Sequence, residues 1–398
     1  MARLVPSTGR LAITPVTLAQ DVREFLEFPW RVYRGDPHWV PPVWSEREAL
    51  LDPQRNPFFG HGEAAFFLGR RDGQVVGTIA VGIDRLVNAH RNEQVAFFGL
   101  FETIEDKEVA DALLATAQGW AASRGATALR GPSDLTSSQP GGLLVEGHDC
   151  PPVILTGHTP VYYATLVEGF GFRKWGADHL AYRLDLRPFQ GDPALLPRQL
   201  LRVADKVAHR RRARVRAARL ADWANEIELA RQIYNQSLAT LSDFIPVSPE
   251  DFARLGEAMR PILDAEMVLF VEVEGRAVGF VVAVPDANQG LRHADGLRQP
   301  WDYLKVWWHR RRIDCASLKI VALLPRYQGS GLGALMYREL ATRLVRKGYR
   351  WLDMSLTGED NLPTNRLATA AGARIYKRYR VYELPLAPNL ECRVEVRR

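Results

Sequence analysis

The sequence predicts a tandem α/β protein, two mixed-sheet units in one chain. Three observations carry this. At 398 residues the chain is too long for one ordinary compact domain and suits two of roughly 200 each. A short pattern near residue 72 returns about 202 residues later. Strand-like and helix-like stretches also alternate in the same order in both halves.

The repeat is clearest at two hairpins. Asp72-Gly73-Gln74-Val75-Val76-Gly77 matches Glu274-Gly275-Arg276-Ala277-Val278-Gly279. Each follows an apolar run, residues 65–68 and 268–271, and reads as a tight turn that needs the left-handed backbone glycine tolerates. Upstream, residues 11–16 with a helical pattern from Asp21 resemble residues 214–218 with one from Ala224. Downstream, the first half shows a strand at 95–101, a helix at 107–124 and a strand at 128–131. The second shows a strand at 316–324, a helix at 329–347 and a strand at 351–356. Pro188, Pro193, Pro197 and an arginine run interrupt the pattern between them. The expected division is therefore 1–186, a linker at 187–212, and 213–398. The alternative is one large unit with a continuous sheet.

Composition narrows the class. Hydrophobic residues make up 46% and charged residues 25%, enough for a real core. No apolar run reaches the ~18 residues of a membrane-spanning helix, and the polar start of the chain is unlike a secretory signal. Cys150, Cys315 and Cys392 are few and far apart. They make no disulfide framework and no metal site, and they suit a cytoplasmic location. The net charge of +6 admits anionic small ligands, nucleic acid or an anionic membrane surface. Arginines concentrate at 210–219 and, beside tryptophans, at Trp307-Trp308-His309-Arg310-Arg311-Arg312. No nucleic-acid motif accompanies either cluster, so nucleic acid is not expected as a partner.

The chemistry concentrates after the strand at 316–324. Pro325-Arg326-Tyr327 leads into Gln328-Gly329-Ser330-Gly331-Leu332-Gly333-Ala334, where a helix opens with Leu332, Leu335, Met336, Leu340 and Leu344 on its apolar side. Glycines after a strand let the backbone fold tightly and present bare N–H groups. With the positive end of the helix dipole, these bind a pyrophosphate. A Walker loop would end in Gly-Lys-Ser/Thr, whereas this one ends in Gly333-Ala334-Leu335. A dinucleotide fingerprint is spaced G-x-G-x-x-G at a first strand–helix unit, and this spacing and position differ.

The run from Val321 to Leu335 resembles the central motif of the GNAT superfamily of N-acetyltransferases, Gln/Arg-x-x-Gly-x-Gly/Ala. Gln328, Gly331 and Gly333 stand at its defining positions. The resemblance implies two tandem GNAT-like folds and a donor that is acetyl-CoA or a longer acyl-CoA. Residues Gln328, Gly329, Ser330, Gly331, Leu332, Gly333 and Ala334 would hold the pyrophosphate. The strand at Val321 and Leu323 would pair with the pantetheine, with Asn361 nearby. Such enzymes often carry a tyrosine that protonates the leaving thiolate. Here that position falls on Ala368, and Tyr376 and Tyr379 are the replacements. For the general base the candidates are Glu359, which is favoured, and Asp360, whose other reading is a helix cap.

The first half lacks the cradle. Phe101-Glu102-Thr103-Ile104-Glu105-Asp106-Lys107-Glu108 puts four carboxylates where a pyrophosphate would lie, so this half is not expected to bind CoA. Its Gly- and Pro-rich loop reads as ordered, with His158, Tyr162 and Tyr163 either structural or facing a substrate.

Arg130-Gly131-Pro132, Gly142 to Gly147, Pro151-Pro152 and Pro160-Val161-Tyr162-Tyr163 resemble a narrower group of tandem GNAT-like bacterial proteins. So do Pro285-Asp286-x-Asn288, Glu359-Asp360-Asn361 and Tyr376-Lys377-x-Tyr379. Some of that group are ceramide synthases, which join a long acyl chain to a sphingoid amine. The chain departs from the group at Ser137 or Ser138 and at Thr159. The resemblance implies acyl transfer to a small-molecule or lipid amine. The aromatic and cationic residues at 301–312 suit peripheral membrane contact, or alternatively a helix packed on the body. A second functional reading is a non-catalytic acyl-CoA sensor, which Ala368 favours. The sequence is silent on oligomeric state.

Overall fold

The computed structural model describes residues 9–133, 135, 141–239, 244 and 246–386. Ser137, Ser138 and Cys392 lie outside them. Two mixed sheets form the body. The first has seven strands in the order β1-β2-β3-β4-β5-β15-β7, and the second has eight in the order β6-β14-β8-β13-β12-β11-β10-β9. In chain order these are β1 Leu11–Pro15, β2 Gly62–Arg71, β3 Gln74–Asp84, β4 Val95–Thr103, β5 Ala128–Gly131, β6 Leu143–Glu146, β7 Arg173–Lys174 and β8 His179–Asp185. There follow β9 Ala213–Ala217, β10 Val268–Val273, β11 Arg276–Pro285, β12 Cys315–Leu323, β13 Trp351–Gly358, β14 Arg374–Arg380 and β15 Tyr382–Pro385.

Both expected hairpins form. Asp72 and Gly73 have φ of 50° and 77°, and Glu274 and Gly275 have 52° and 79°. Two left-handed residues in a two-residue turn match the right-handed twist of the flanking strands. The helix Leu332–Arg346 buries Leu332, Leu335, Met336, Leu340 and Leu344, the side its spacing predicts, against the second sheet. In the first half Lys107–Ser123 does the same with Val109, Leu113, Leu114 and Ala117.

The halves exchange strands, which the sequence does not announce. β15, at the end of the second half, lies between β5 and β7 of the first. β8, from the first half, lies between β13 and β14 of the second. The division at residues 186 and 213 therefore follows chain order but not the sheets. Nor is 187–212 a bare linker: Arg198–Arg211 is a helix, and its Val203 and Val207 reach Gly331 at the start of Leu332–Arg346. Its proline-rich approach forms two short 3-10 turns, which is why the periodicity breaks there.

Polar links hold the exchange. Arg130 Nη2 meets Glu383 Oε2 at 2.7 Å, and Arg380 grips Asp178 through Nε and Nη2 at 3.0 Å each. The buried Lys377 ammonium donates to the carbonyls of Gly147 and Cys150 at 2.6 and 2.7 Å. Two arginines of the basic run are likewise internal braces. Arg214 and Arg216 each bond Glu272 at 2.7 Å, and Arg216 also reaches Glu226 at 2.8 Å.

Because each sheet needs strands from both ends of the chain, the halves should melt as one. Calorimetry of the full chain is expected to show a single transition. A fragment of residues 9–212, lacking β15 between β5 and β7, should show no cooperative melt by circular dichroism. Two separated transitions would contradict this coupling.

Candidate active site

The glycine loop forms a cradle. After β12, Pro325–Tyr327 makes one 3-10 turn, Gln328 is extended, and Gly329 and Gly331 take φ of 70° and 86°. Helix Leu332–Arg346 opens directly at Gly331. A Cβ on Gly331 would meet Val207 Cγ2 at 2.7 Å, so a side chain is excluded by backbone and space together. The N–H groups of Gly329, Gly331 and Gly333 have no acceptor among the described residues. They are the bare amides that an anion at a helix start requires. Ser330 supports the turn, its N–H bonding Tyr327 O at 3.2 Å, and Ala334 N–H bonds Gly331 O. The Gln328 side chain turns back to donate to Leu323 O at 3.2 Å and braces the loop.

Beside the cradle, β12 and β13 part. Their parallel pairing runs from Cys315–Trp351 to Leu318–Met354 and stops. There β12 carries a bulge: Val282 and Ala283 of β11 face Ile320 and Leu318, leaving Lys319 as the extra residue. Leu324 N–H bonds Val278 O on the β11 side, so by alternation the N–H groups of Leu323 and Val321 face the gap. Leu323 N–H meets Ser237 Oγ at 3.0 Å, and Val321 is exposed. The gap offers an extended, amide-bearing ligand a strand edge to pair with.

Where the strands part lies a buried polar cluster. Asp353 is fully buried and accepts from three hydroxyls: Ser317, Ser355 at 2.6 Å and Tyr376 at 2.8 Å. Lys319 Nζ lies 3.9 Å from Asp353 and donates to Ser355 Oγ at 3.3 Å. Burial pushes the Lys319 ammonium below its ordinary value, opposed by the charges of Asp353 and Asp286. Asp286, at the end of β11, accepts from Ile154 N–H at 2.8 Å and Asn288 N–H at 3.2 Å on one oxygen. Burial pushes its carboxyl up to about 7, with the Asp353 charge adding to the rise. Asp286 and Tyr376 line a cavity of about 420 Å³.

A larger cleft, about 720 Å³, runs between the halves. Phe58, Val87 and Phe97 line it from the first half, and Tyr234, Phe252 and Ile320 of β12 from the second.

The sequence-predicted residues separate on this frame. Tyr376 joins the cluster, but it donates its proton to Asp353, and burial holds its hydroxyl well above the ordinary value. Tyr379 is buried and donates to Gly157 O at 3.0 Å, a structural bond. Glu359 is held in ion pairs. Lys174 and Arg378 occupy its two oxygens at 2.6 Å each, and the Lys174 ammonium holds its carboxyl below the usual range, which weakens it as a base. Asn361, rather than Asp360, caps the helix Leu362–Ala370, accepting from Thr364 N–H at 3.4 Å, so its side chain is engaged there. Ala368 is buried in the core.

Sequence reasoning missed Asp286, Lys319 and Asp353 as site residues. A signal was present: Lys319 and Asp353 are each the one charged residue of a mostly apolar strand, where a charge is costly unless paired.

The first half has no cradle, and where its strands part the space is filled. Asp106 caps its helix, accepting from Glu108 and Val109 N–H at 2.9 and 3.3 Å, so those amides are taken. Arg71 neutralises Asp106 and Glu108 at 2.6 Å each. The edge of β4 is covered: Tyr163 Oη accepts from Thr103 N–H at 2.9 Å, Tyr162 Oη donates to Thr103 O at 2.7 Å, and Ser133 N–H bonds Phe98 O. His158 bonds Asp36 at 2.9 Å. Thr159 Oγ1 accepts from Leu144 N–H. These groups serve the fold.

A glycine cradle at a helix start, beside a strand that parts from its neighbour, defines an acetyltransferase-type fold. The acetyltransferase (GNAT) family model matches residues 231–373. The chain is 30% identical over 387 residues to the bacterial ceramide synthase of Caulobacter vibrioides (strain NA1000 / CB15N), covering 94% of this chain and 98% of that protein. It therefore belongs to the GNAT acetyltransferase family, in a tandem form. It is also 29% identical over 369 residues to Protein YghO of Escherichia coli (strain K12), covering 91% and 92%. A tandem GNAT protein from the clavulanic acid biosynthesis pathway shares the fold, with a TM-score of 0.57 at 15% identity, over 95% of this chain and 99% of that one.

The buried cluster can be tested apart from any activity. Asp353→Ala strips Lys319 of its nearest carboxylate and should destabilise the chain by about 3–5 kcal/mol in urea unfolding. Adding Lys319→Met should restore a large part of that loss. No recovery in the double variant would mean that the pair is not coupled.

Proposed function

We propose that this chain transfers a long acyl group from acyl-coenzyme A to the amine of an amphiphilic acceptor. The observation that carries the reading is the cleft that runs between the halves, with a mostly apolar lining that includes Ile320, next to the bulge at Lys319. An acetyl group needs no such space, whereas an alkyl chain is stabilised by it. The naming of the Caulobacter vibrioides relative as a ceramide synthase supports a long-chain amine.

In this reading the amides of Gly329, Gly331 and Gly333 bind the donor's pyrophosphate. The strand edge at Val321 pairs with its pantetheine, which leads the thioester toward Lys319, and Leu323 joins that edge when Ser237 gives up its N–H. The acceptor nitrogen attacks the thioester carbonyl, the carbon–sulfur bond breaks, and the nitrogen's proton passes to Asp286. A carboxyl held near neutrality, with one oxygen free of donors among the described residues, suits that task. The Lys319 ammonium, lowered by burial, is the proton source for the departing thiolate. Tyr376 orients Asp353, which in turn holds the positive charge of Lys319 in place.

The direct test follows free thiol with acetyl-CoA or palmitoyl-CoA and a panel of amines that includes sphinganine. Release is expected with palmitoyl-CoA and a long-chain amine. Tight coenzyme A binding without turnover on any pair would instead make the chain a sensor.

Two variants sharpen the assignment. A Cβ on Gly333 meets open space, so Gly333→Val should leave the melting temperature nearly unchanged. It should nevertheless weaken coenzyme A binding about tenfold or more in calorimetry by obstructing the anion site. Unchanged affinity would show that the pyrophosphate sits elsewhere. For the base, the competent form is the carboxylate, so kcat/KM should rise with pH through about 7 and then level off. Asp286→Asn should remove that limb and lower kcat by about 10²-fold or more. The same raised proton affinity makes the fold's stability fall as pH climbs from about 4 toward 7, the opposite direction.

A further inference from the structure

The helix Pro300–His309 is mounted with its apolar side outward. Its inward contacts are few and specific. Asp302 is fully buried and bonds Lys305 at 2.9 Å and Gln299 N–H at 3.3 Å. Val306 packs over Gly290, and His309 stacks on His293 with ring centres 3.7 Å apart. Trp301, Tyr303, Leu304, Trp307 and Trp308 all project outward, each 48% to 68% exposed. Trp301, Leu304 and Trp308 share one stripe at i, i+3, i+7, and Tyr303 and Trp307 the next. Five large apolar side chains on one short exposed helix are more than the scattered singles a surface normally carries.

Charge accompanies the patch. Arg310, Arg311 and Arg312 follow as a 3-10 turn and are exposed. Among the described residues none of the three makes an ion pair, and Arg310 and Arg311 lie over the Trp307 ring at 5.4 and 5.5 Å. Tryptophan and tyrosine favour the depth of lipid headgroups, and unpaired arginines beside them are drawn to anionic lipid at about 1 kcal/mol each. A second copy of this chain is a poorer occupant, because it would set arginine cluster against arginine cluster on a molecule of net charge +6.

We propose that Pro300–His309 and the arginines after it dock this protein onto the surface of an anionic phospholipid bilayer, lying in the headgroup plane. His309 and Arg312 also line the cavity that holds Asp286 and Tyr376. The docked surface thus places that cavity's mouth against the lipid, where an amphiphilic amine resides.

The test is flotation of the full chain with vesicles of phosphatidylcholine alone or with about a third phosphatidylglycerol, at low and high salt. It uses no acyl donor, so its result is independent of acyl transfer. Binding is expected on the anionic vesicles, weakened by salt and at least about tenfold weaker on neutral ones. Trp301→Ser/Leu304→Ser/Trp308→Ser should cut it by a further about tenfold at unchanged circular dichroism. Arg310→Glu/Arg311→Glu should do so with the aromatic face intact, which covers a folding failure of the first variant. Absence of flotation with anionic vesicles overturns the proposal. So does flotation that both variants retain, or a dimer in sedimentation velocity that the same variants abolish while vesicles are ignored.

Discussion

The exchange of strands between the sheets is the constraint on which the rest of the molecule depends. Placing β15 between β5 and β7, and β8 between β13 and β14, locks two similar units into one body. It fixes the large cleft, whose walls come from both units and include Ile320 of β12. It also sets β14, with Tyr376 and Lys377, against loop 147–154 of the first half, which delivers Ile154 N–H to Asp286 and accepts the Lys377 ammonium. The first unit, though without a cradle, thereby completes the site of the second.

The two units show how one scaffold is kept open or closed. In both, the central parallel pair separates after a few residues. In the second, glycines leave the helix amides bare, and the strand edge keeps Val321 exposed. In the first, Asp106 takes the amides, while Tyr162, Tyr163 and Ser133 take the strand edge. A binding slot and a structural joint thus differ by which polar groups the chain itself satisfies.

What was legible in the sequence was local. The Asp72-Gly73 and Glu274-Gly275 turns, the 3.6-residue stripe from Leu332 to Leu344 and the cradle glycines each act over a few residues, so spacing alone exposes them. The cluster was not legible in this way. Lys319, Asp353 and Tyr376 sit on three strands and Asp286 just past a fourth, and they meet only when those strands pair. Glu359 looked free because its partners, Lys174 and Arg378, come from β7 and β14. A strand such as β15 reads the same whichever sheet accepts it, so the exchange left no periodic trace. The outward mounting of Pro300–His309 was equally hidden, since a helix's apolar stripe does not say whether protein or lipid will cover it.

The strand exchange has a consequence for biosynthesis. Arg130 and Glu383, which meet across β5 and β15, are 253 positions apart. While the ribosome is still making the second half, the first sheet has already emerged with the slot for β15 empty. The second edge of β5 stays open, and β7 stays without its partner, until β15 is synthesised, and open edges invite association with other chains. Long-range pairing of this kind is also slow to form. Termination at any point before β15 removes the strand that joins β5 to β7.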